Sequence, residues 1–73
     1  MILKLYGADY CHLCDQAELI LRTAGISAEY FDISHDDILF EKYRLRIPVL
    51  RRIDHDTELG WPFDQDTLRQ FLL

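Results

Sequence analysis

The chain has 73 residues, of which 49% are hydrophobic and 29% are charged, and its formal net charge is −5. This composition is too apolar for a disordered tail, and the length allows one small core, so we expect a single domain over residues 1–73. The negative charge opposes contact with phosphate backbones and anionic lipids. We therefore expect neither nucleic acid nor a membrane surface as a partner.

No apolar run approaches the roughly 20 residues that span a bilayer. Residues 1–6 also lack the basic region and the small-residue cleavage site of a signal peptide, so we expect a cytoplasmic protein. The charge is uneven, because residues 41–52 carry five basic side chains and one acidic one. This basic segment is either ordinary solvated surface or a patch that faces an anion.

The first strand and the first helix have the clearest patterns. Residues 2–6 form an apolar run ended by Gly7, which is typical of a strand buried on both faces of a sheet. From Leu13 to Ala24 the apolar residues recur at the spacing of one helix face, and Gly25 follows where a left-handed cap is favoured.

The next two elements are a strand at residues 28–33 and a helix that begins at Ser34 and runs to about Tyr43. Residues 47–53 then have the composition of a strand, with Pro48 near its start, where the missing N–H is tolerated. A turn at residues 54–57 and a short strand at 58–60 complete a hairpin.

A last helix begins at the N-cap residue Asp64 and presents Leu68, Phe71 and Leu72 on one face. The order is therefore β-α-β-α-β-β-α. A strand, helix and strand in succession imply a right-handed parallel crossover, and the hairpin adds an antiparallel strand. We predict an α/β fold with a four-stranded mixed sheet and helices on both faces.

Both cysteines lie in the segment Cys11-His12-Leu13-Cys14, at the start of the first helix. Free N–H groups and the positive end of the helix dipole stabilise a thiolate there, so we expect Cys11 to be the nucleophile, with a pKa below that of a free thiol. Asp9 and Asp15 oppose this effect. Cys14 lies one helical turn further on, within reach of a mixed disulfide on Cys11, and is expected to be the resolving thiol.

Two other interpretations of the cysteine pair are weaker. A zinc site needs four ligands, and His12, His35 and His55 do not have ligand spacing, so no metal site is expected. A purely structural disulfide over four residues constrains little of the unfolded chain and is unusual in the cytoplasm. A redox role is the preferred interpretation.

The cysteine motif at the start of a helix, followed about 35 residues later by Ile47-Pro48 at the start of a strand, resembles the thioredoxin superfamily and within it the small glutaredoxin-like proteins. The resemblance covers nearly the whole chain and implies a thioredoxin-like fold with a cis Ile47–Pro48 peptide bond. It also implies a site for glutathione or another substrate beside the cysteines, formed by Tyr10, His12, Arg46, Ile47, Pro48, Gly60 and Trp61. For Tyr10 and Trp61 the alternative role is packing at the edge of the core.

The chain departs from the usual glutaredoxin pattern in three places. Ala8 stands where many glutaredoxins have lysine, the residues between the cysteines are His12 and Leu13, and Gly60-Trp61-Pro62-Phe63 replaces the glycine-and-acid turn. Each departure weakens the case for glutathione as the physiological reductant.

The sequence thus predicts a thiol–disulfide oxidoreductase that acts through the Cys11/Cys14 dithiol on protein or glutathione mixed disulfides. We expect a monomer with no bound cofactor, glutathione as a possible co-substrate, and either glutathione or a reductase as electron donor. Two alternatives stay open. One is a non-catalytic binding module of the same fold, and the other is a metal or iron–sulfur carrier in which two chains share the ligands.

Overall fold

A computed structural model describes residues 1–73. Four strands and three helices follow the predicted order, with a short 3₁₀ turn between the second strand and the second helix. In chain order they are β1 (Leu3–Gly7), α1 (His12–Thr23), β2 (Glu29–Asp32), the 3₁₀ turn (Ile33–His35), α2 (Asp37–Tyr43), β3 (Val49–Arg52), β4 (Thr57–Gly60) and α3 (Gln65–Phe71).

The strands form one mixed sheet in the order β2-β1-β3-β4. β1 pairs with β2 in parallel and with β3 antiparallel, and β3 pairs with β4 antiparallel. Because β1 and β3 are the central strands, their ends set the positions of the loops that follow or precede them. The predicted mixed α/β sheet is confirmed.

Alternating side chains of the central strands build a separate apolar cluster on each face of the sheet. On one face, Leu5 of β1 and Leu50 of β3 pack with residues of α1 and α3, including Ala17 and Leu68. On the other face, Tyr6 of β1 and Val49 of β3 pack with Ile33 and with Tyr43 of α2. The helices therefore cover both faces, as the sequence predicted.

The ends of α1 and α3 also agree with the sequence. Gly25 follows α1 with a φ of 71°, the left-handed conformation that glycine adopts without strain. Asp64 caps α3 by accepting the Thr67 backbone N–H at 2.9 Å, while the Thr67 hydroxyl accepts the Asp64 N–H at 2.8 Å. These paired bonds form a capping box.

The predicted start of the second helix at Ser34 is wrong. The carboxylate of Asp32 accepts the backbone N–H of Ser34 at 2.9 Å and closes the 3₁₀ turn. α2 begins only after Asp36, whose carboxylate accepts the N–H groups of Ile38 and Leu39. Asp32 and Asp36 thus divide the segment into a 3₁₀ turn and a helix, since Asp32 caps the turn and Asp36 caps the helix.

The strands at residues 28–33 and 47–53 are shorter than predicted, and β4 begins one residue earlier. Ile33 leaves β2 to enter the 3₁₀ turn, and β3 begins at Val49, directly after Pro48. No helix of the structure is both long enough and apolar enough to cross a membrane.

Leu50 and Leu45 offer a matched test of where the stability of the fold resides. Leu50 is fully buried and Leu45 is 86% exposed. We expect Leu50→Ala to lower the free energy of unfolding in urea by about 2–5 kcal/mol or to abolish the cooperative transition, because it opens a cavity between the sheet, α1 and α3. Leu45→Ala should change it by less than about 0.5 kcal/mol. Equal effects of the two substitutions would contradict this account of the core.

Candidate redox site

Cys11 is the residue that caps the N-terminus of α1. Its backbone is extended, and its sulfur accepts the backbone N–H of Cys14 at 3.1 Å. The loop before it turns sharply at Tyr10, whose φ is 59°. A sulfur in this position meets an N–H group and the positive end of the helix dipole, which together favour the thiolate form.

Cys11 and Cys14 are joined by a disulfide, with their Cα atoms 5.2 Å apart. Cys11 is half-buried, whereas Cys14 is only 1% exposed and lies beneath the first turn of the helix. An incoming sulfur therefore reaches Cys11 more readily than Cys14. Cys11 as nucleophile and Cys14 as resolving thiol stay predictions, and they require the more accessible sulfur to be that of Cys11.

Pro48 and Trp61 lie at the same end of the sheet as the cysteine pair. Tyr6 of β1 is opposite Val49, so Pro48 comes beside the end of β1 from which the loop to Cys11 departs. The Trp61 N–H donates to the Pro48 carbonyl at 3.2 Å. The Ile47–Pro48 peptide bond is cis, as the resemblance implied, and so is Trp61–Pro62, which the sequence did not predict.

The remaining predicted site residues differ in their access to solvent. Tyr10 is fully exposed, His12 is exposed on the first turn of α1, and Gly60 is exposed at the end of β4. Ile47 and Trp61 are half-buried. Trp61 packs edge-on against Phe63, with ring centroids 5.1 Å apart, and is thus part of the packing around the core.

Arg46, which precedes the Ile47–Pro48 bond, is held by contacts with Glu58 and Tyr43. Its guanidinium donates to Glu58 at 2.8 Å and lies over the Tyr43 ring, 5.1 Å from the centroid. Tyr43 also donates its hydroxyl to Glu58. Glu58 thus ties α2 and the segment that follows it to β4.

This network changes the titration of both acidic groups. Burial and the hydrogen bond to Glu58 raise the pKa of Tyr43 to about 12. Burial alone disfavours ionised Glu58, but hydrogen bonds from Tyr43 and Arg46 outweigh it and hold the pKa of Glu58 below its ordinary value.

The structure does not bring Arg51 and Arg52 to the cysteines. They pair with Lys4 and Leu3 at the opposite end of β1. Arg51 forms ion pairs with Asp56 and Glu58, and Arg52 lies 3.5 Å from Asp54. Most of the basic segment is therefore occupied by internal partners, an outcome that neither interpretation from the sequence included.

The neighbourhood of the cysteine pair is acidic. Burial raises the pKa of Tyr30, on β2, above its ordinary value. The negative charges of four nearby carboxylates raise it further. These carboxylates are those of Glu18, Asp32, Asp9 and Asp15. Two come from α1 and one from the loop that leads to Cys11, so an approaching substrate meets negative charge.

The sequence patterns do not single out Gly7 and Tyr30, which lie near the cysteines, or Glu58, which lies in the Arg46 network. Gly7 was recognised only as the end of a strand, although its lack of a side chain makes room for Cys14 and Tyr30. Tyr30 was treated only as a strand former, and Glu58 only as part of a hairpin. No motif marks them, because each acts through contacts between residues distant in sequence.

No enclosed cavity contains the cysteines. The largest cavity, about 430 Å³, lies between α3 and the segment that follows α1, and it is lined by residues such as Ile26 and Leu72. Neither of the other two cavities is lined by Cys11, Cys14 or Pro48. No group of three or more His, Cys, Asp and Glu side chains is arranged to hold a metal ion. Cys11, the accessible cysteine, therefore lies at open surface.

A family model described as Glutaredoxin-like domain (DUF836) matches residues 2–73. No curated protein matches the sequence at a significant level. Among solved structures, the chain is similar to target protein XcR50 from X. campestris, with 45% identity, coverage of 96% of this chain and 93% of that one, and a TM-score of 0.88. Protein Ne2328 from Nitrosomonas europaea shares 29% identity, covers 96% and 88% of the two chains, and has a TM-score of 0.82.

Thioredoxin 1 from Thermosipho africanus is a more distant structural neighbour. It is 15% identical, with coverage of 99% of this chain and 94% of that one, and a TM-score of 0.60. This likeness shows that the fold is thioredoxin-like.

The Glu58 network predicts a specific loss of stability in acid. Because the pKa of Glu58 is depressed in the folded state, its contribution is complete above the ordinary value near 4.5 and is lost as the pH falls through the folded value. We expect Glu58→Gln to lower the free energy of unfolding by about 1–2 kcal/mol at pH 7. The difference from the parent protein should shrink below about pH 4.

Urea unfolding at pH 7 and below about pH 4 tests this prediction, with Glu41→Gln as the control. Glu41 is an exposed residue of α2, and its substitution should leave stability nearly unchanged at either pH. A Glu58→Gln deficit that stays constant with pH would show that its carboxylate is not stabilised in the fold.

Proposed function

Because this chain belongs to the glutaredoxin-like family of the thioredoxin superfamily, we propose that it is a thiol–disulfide oxidoreductase that works through the Cys11/Cys14 dithiol. The observation that carries the proposal is the position of the pair. The more accessible sulfur caps a helix, and its partner is buried one turn away, close enough to form the disulfide present in the structure.

The proposed reaction has two steps, each an exchange at sulfur. The Cys11 thiolate attacks one sulfur of a substrate disulfide, forms a mixed disulfide and releases the other substrate sulfur as a thiolate. Cys14 then loses its proton and attacks the Cys11 sulfur, which forms the Cys11–Cys14 disulfide and releases the second substrate thiolate. Two electrons pass from the dithiol to the substrate, and an external thiol or a reductase restores the dithiol.

Three features favour a protein disulfide as the substrate over glutathione. Cys11 lies at open surface rather than in a cavity that would enclose a small ligand. Four carboxylates lie near the cysteine end of the sheet, whereas Arg46, Arg51 and Arg52 are engaged by internal acids. Glutathione carries two carboxylates, so this charge distribution disfavours it, whereas basic residues around a substrate cysteine would be attracted.

The binding-module and metal-carrier alternatives remain predictions that no feature of the structure favours. A binding module has no need for one buried and one accessible sulfur at a helix start.

The nucleophile and the preferred substrate can be tested together with single-cysteine variants and symmetric peptide disulfides, whose leaving thiolate is a cysteine thiolate like that of glutathione. Cys14→Ser retains the nucleophile but lacks the resolving thiol, so it should accumulate a stable mixed disulfide, visible by intact mass. Cys11→Ser, the matched control, should form the adduct at least about tenfold more slowly, because its remaining sulfur is buried and lacks the helix cap.

The substrates for this assay are two peptides that differ only in flanking residues, lysine in one and glutamate in the other, and glutathione disulfide. With Cys14→Ser, the lysine peptide should react about tenfold faster than the glutamate peptide at low ionic strength, and the difference should shrink as salt is added. Faster reaction of glutathione disulfide than of the lysine peptide would overturn the substrate assignment. Equal reaction of both cysteine variants would overturn the assignment of the nucleophile.

A further inference from the structure

Gly7, at the end of β1, is in close contact with the Tyr30 hydroxyl and the Cys14 sulfur. A Cβ placed on Gly7 would lie 2.7 Å from the Tyr30 hydroxyl oxygen and 3.0 Å from the Cys14 sulfur. Both distances are shorter than van der Waals contact, so any side chain at this position would displace the hydroxyl, the sulfur or both. The absence of a side chain at residue 7 thus lets the Tyr30 hydroxyl and the Cys14 sulfur both pack against the same point of β1.

The hydroxyl is held in this place by its own hydrogen bond. The Tyr30 O–H donates to the Ala8 carbonyl at 3.0 Å, and this carbonyl belongs to the loop between β1 and Cys11. Tyr30 also lies on β2 opposite Leu5, so its side chain projects from the face of the sheet that α1 covers. A phenolic O–H rotates about its C–O bond, so this hydroxyl is free to donate to a different acceptor that comes within hydrogen-bond distance.

The electrostatic environment keeps this hydroxyl protonated. Burial and the charges of Glu18, Asp32, Asp9 and Asp15 raise the pKa of Tyr30, so the phenol stays neutral through the range in which thiols titrate. The group is therefore a hydrogen-bond donor and not a base.

Cys14 needs such a donor. When the Cys11–Cys14 disulfide opens, or when Cys14 prepares to attack a mixed disulfide, its sulfur carries negative charge while it is 1% exposed. A buried thiolate without a hydrogen bond is unfavourable, and the nearby carboxylates make it more so.

We propose that the Tyr30 hydroxyl, admitted by Gly7, donates a hydrogen bond to the Cys14 thiolate and thereby controls the rate of the resolving step. This inference rests on the proposed redox function of the pair and adds a residue that assists Cys14 but not Cys11. On reduction the O–H turns from the Ala8 carbonyl towards the Cys14 sulfur. The Cys14 proton goes to solvent, and Tyr30 keeps its own proton throughout.

The two sulfur steps can be followed separately with 4,4′-dithiodipyridine, a neutral aromatic disulfide. The Cys11 thiolate attacks it, forms a mixed disulfide and releases the first thiopyridone. Cys14 then attacks the Cys11 sulfur, closes the internal disulfide and releases the second thiopyridone. Stopped-flow absorbance from pH 5 to pH 10 gives the rate of each release, and the pH midpoint of the second reports on Cys14.

Tyr30→Phe removes the hydroxyl and keeps the ring. We expect the midpoint of the second release to rise by about one pH unit, so that the step is about tenfold slower below the midpoint. The first release should keep its rate and midpoint. Tyr6→Phe makes the same chemical change on the opposite face of the sheet, where Tyr6 stacks on Tyr43, and should alter neither step.

An unchanged second step in Tyr30→Phe would overturn the inference, and so would equal slowing of both steps, since that would indicate a general structural effect. The reagent oxidises any accessible dithiol, so this result does not depend on the physiological substrate. If the parent protein closes its disulfide here but fails to react with the peptide disulfides, the proposed function fails while the role of Tyr30 stands.

Discussion

The position of both sulfurs depends on how closely the start of α1 approaches the end of β1. Gly7 makes this approach possible, because a Cβ there would lie 3.0 Å from the Cys14 sulfur. β1 is fixed in turn by hydrogen bonds to a strand on each side. The helix start therefore rests on the most constrained part of the sheet. Consequently Cys14 is buried, while Cys11 stays partly accessible at the helix cap.

The sheet also separates charge along its length. Carboxylates of α1, β2 and the connecting loop lie near Tyr30, which packs against Gly7 at the cysteine end. The arginines of β3 lie towards the other end, where acids of the hairpin and β4 pair with them. Such pairs contribute little to stability individually, but together with the Arg46–Glu58 pair they engage three of the four arginines of the basic segment, which a tripeptide with two carboxylates could otherwise use. Charge and an open surface are thus the two features that support the proposal of a protein substrate.

The parts of the account that sequence predicts well are those set by short-range patterns. The apolar spacing from Leu13 to Ala24 predicted α1, Gly25 predicted its end, and the cysteine motif fell at the helix start as expected. The family resemblance supplied the cis Ile47–Pro48 bond. The start of α2 was misplaced because two aspartates, Asp32 and Asp36, both form caps and only the structure shows which cap precedes the helix.

The side-chain contacts between neighbouring strands could not be predicted from the sequence. Tyr30 meets the space above Gly7 only because β2 pairs with β1 in parallel with Leu5 opposite Tyr30. The engagement of Arg46 by Glu58 likewise depends on the hairpin register, which puts Glu58 opposite Arg51. A pattern of residue types does not specify such a register to one residue, and a shift by one would reverse the face of each side chain.

The central claim is that Cys11 and Cys14 form a redox-active pair and not an inert crosslink. The most direct measurement is equilibration of the protein in buffers of graded redox potential, followed by acid quenching, alkylation and intact-mass analysis. The account predicts reversible interconversion of dithiol and disulfide with a midpoint between about −120 and −270 mV, the span of known thiol–disulfide catalysts. A disulfide that stays intact below about −300 mV, as structural disulfides do, would contradict it.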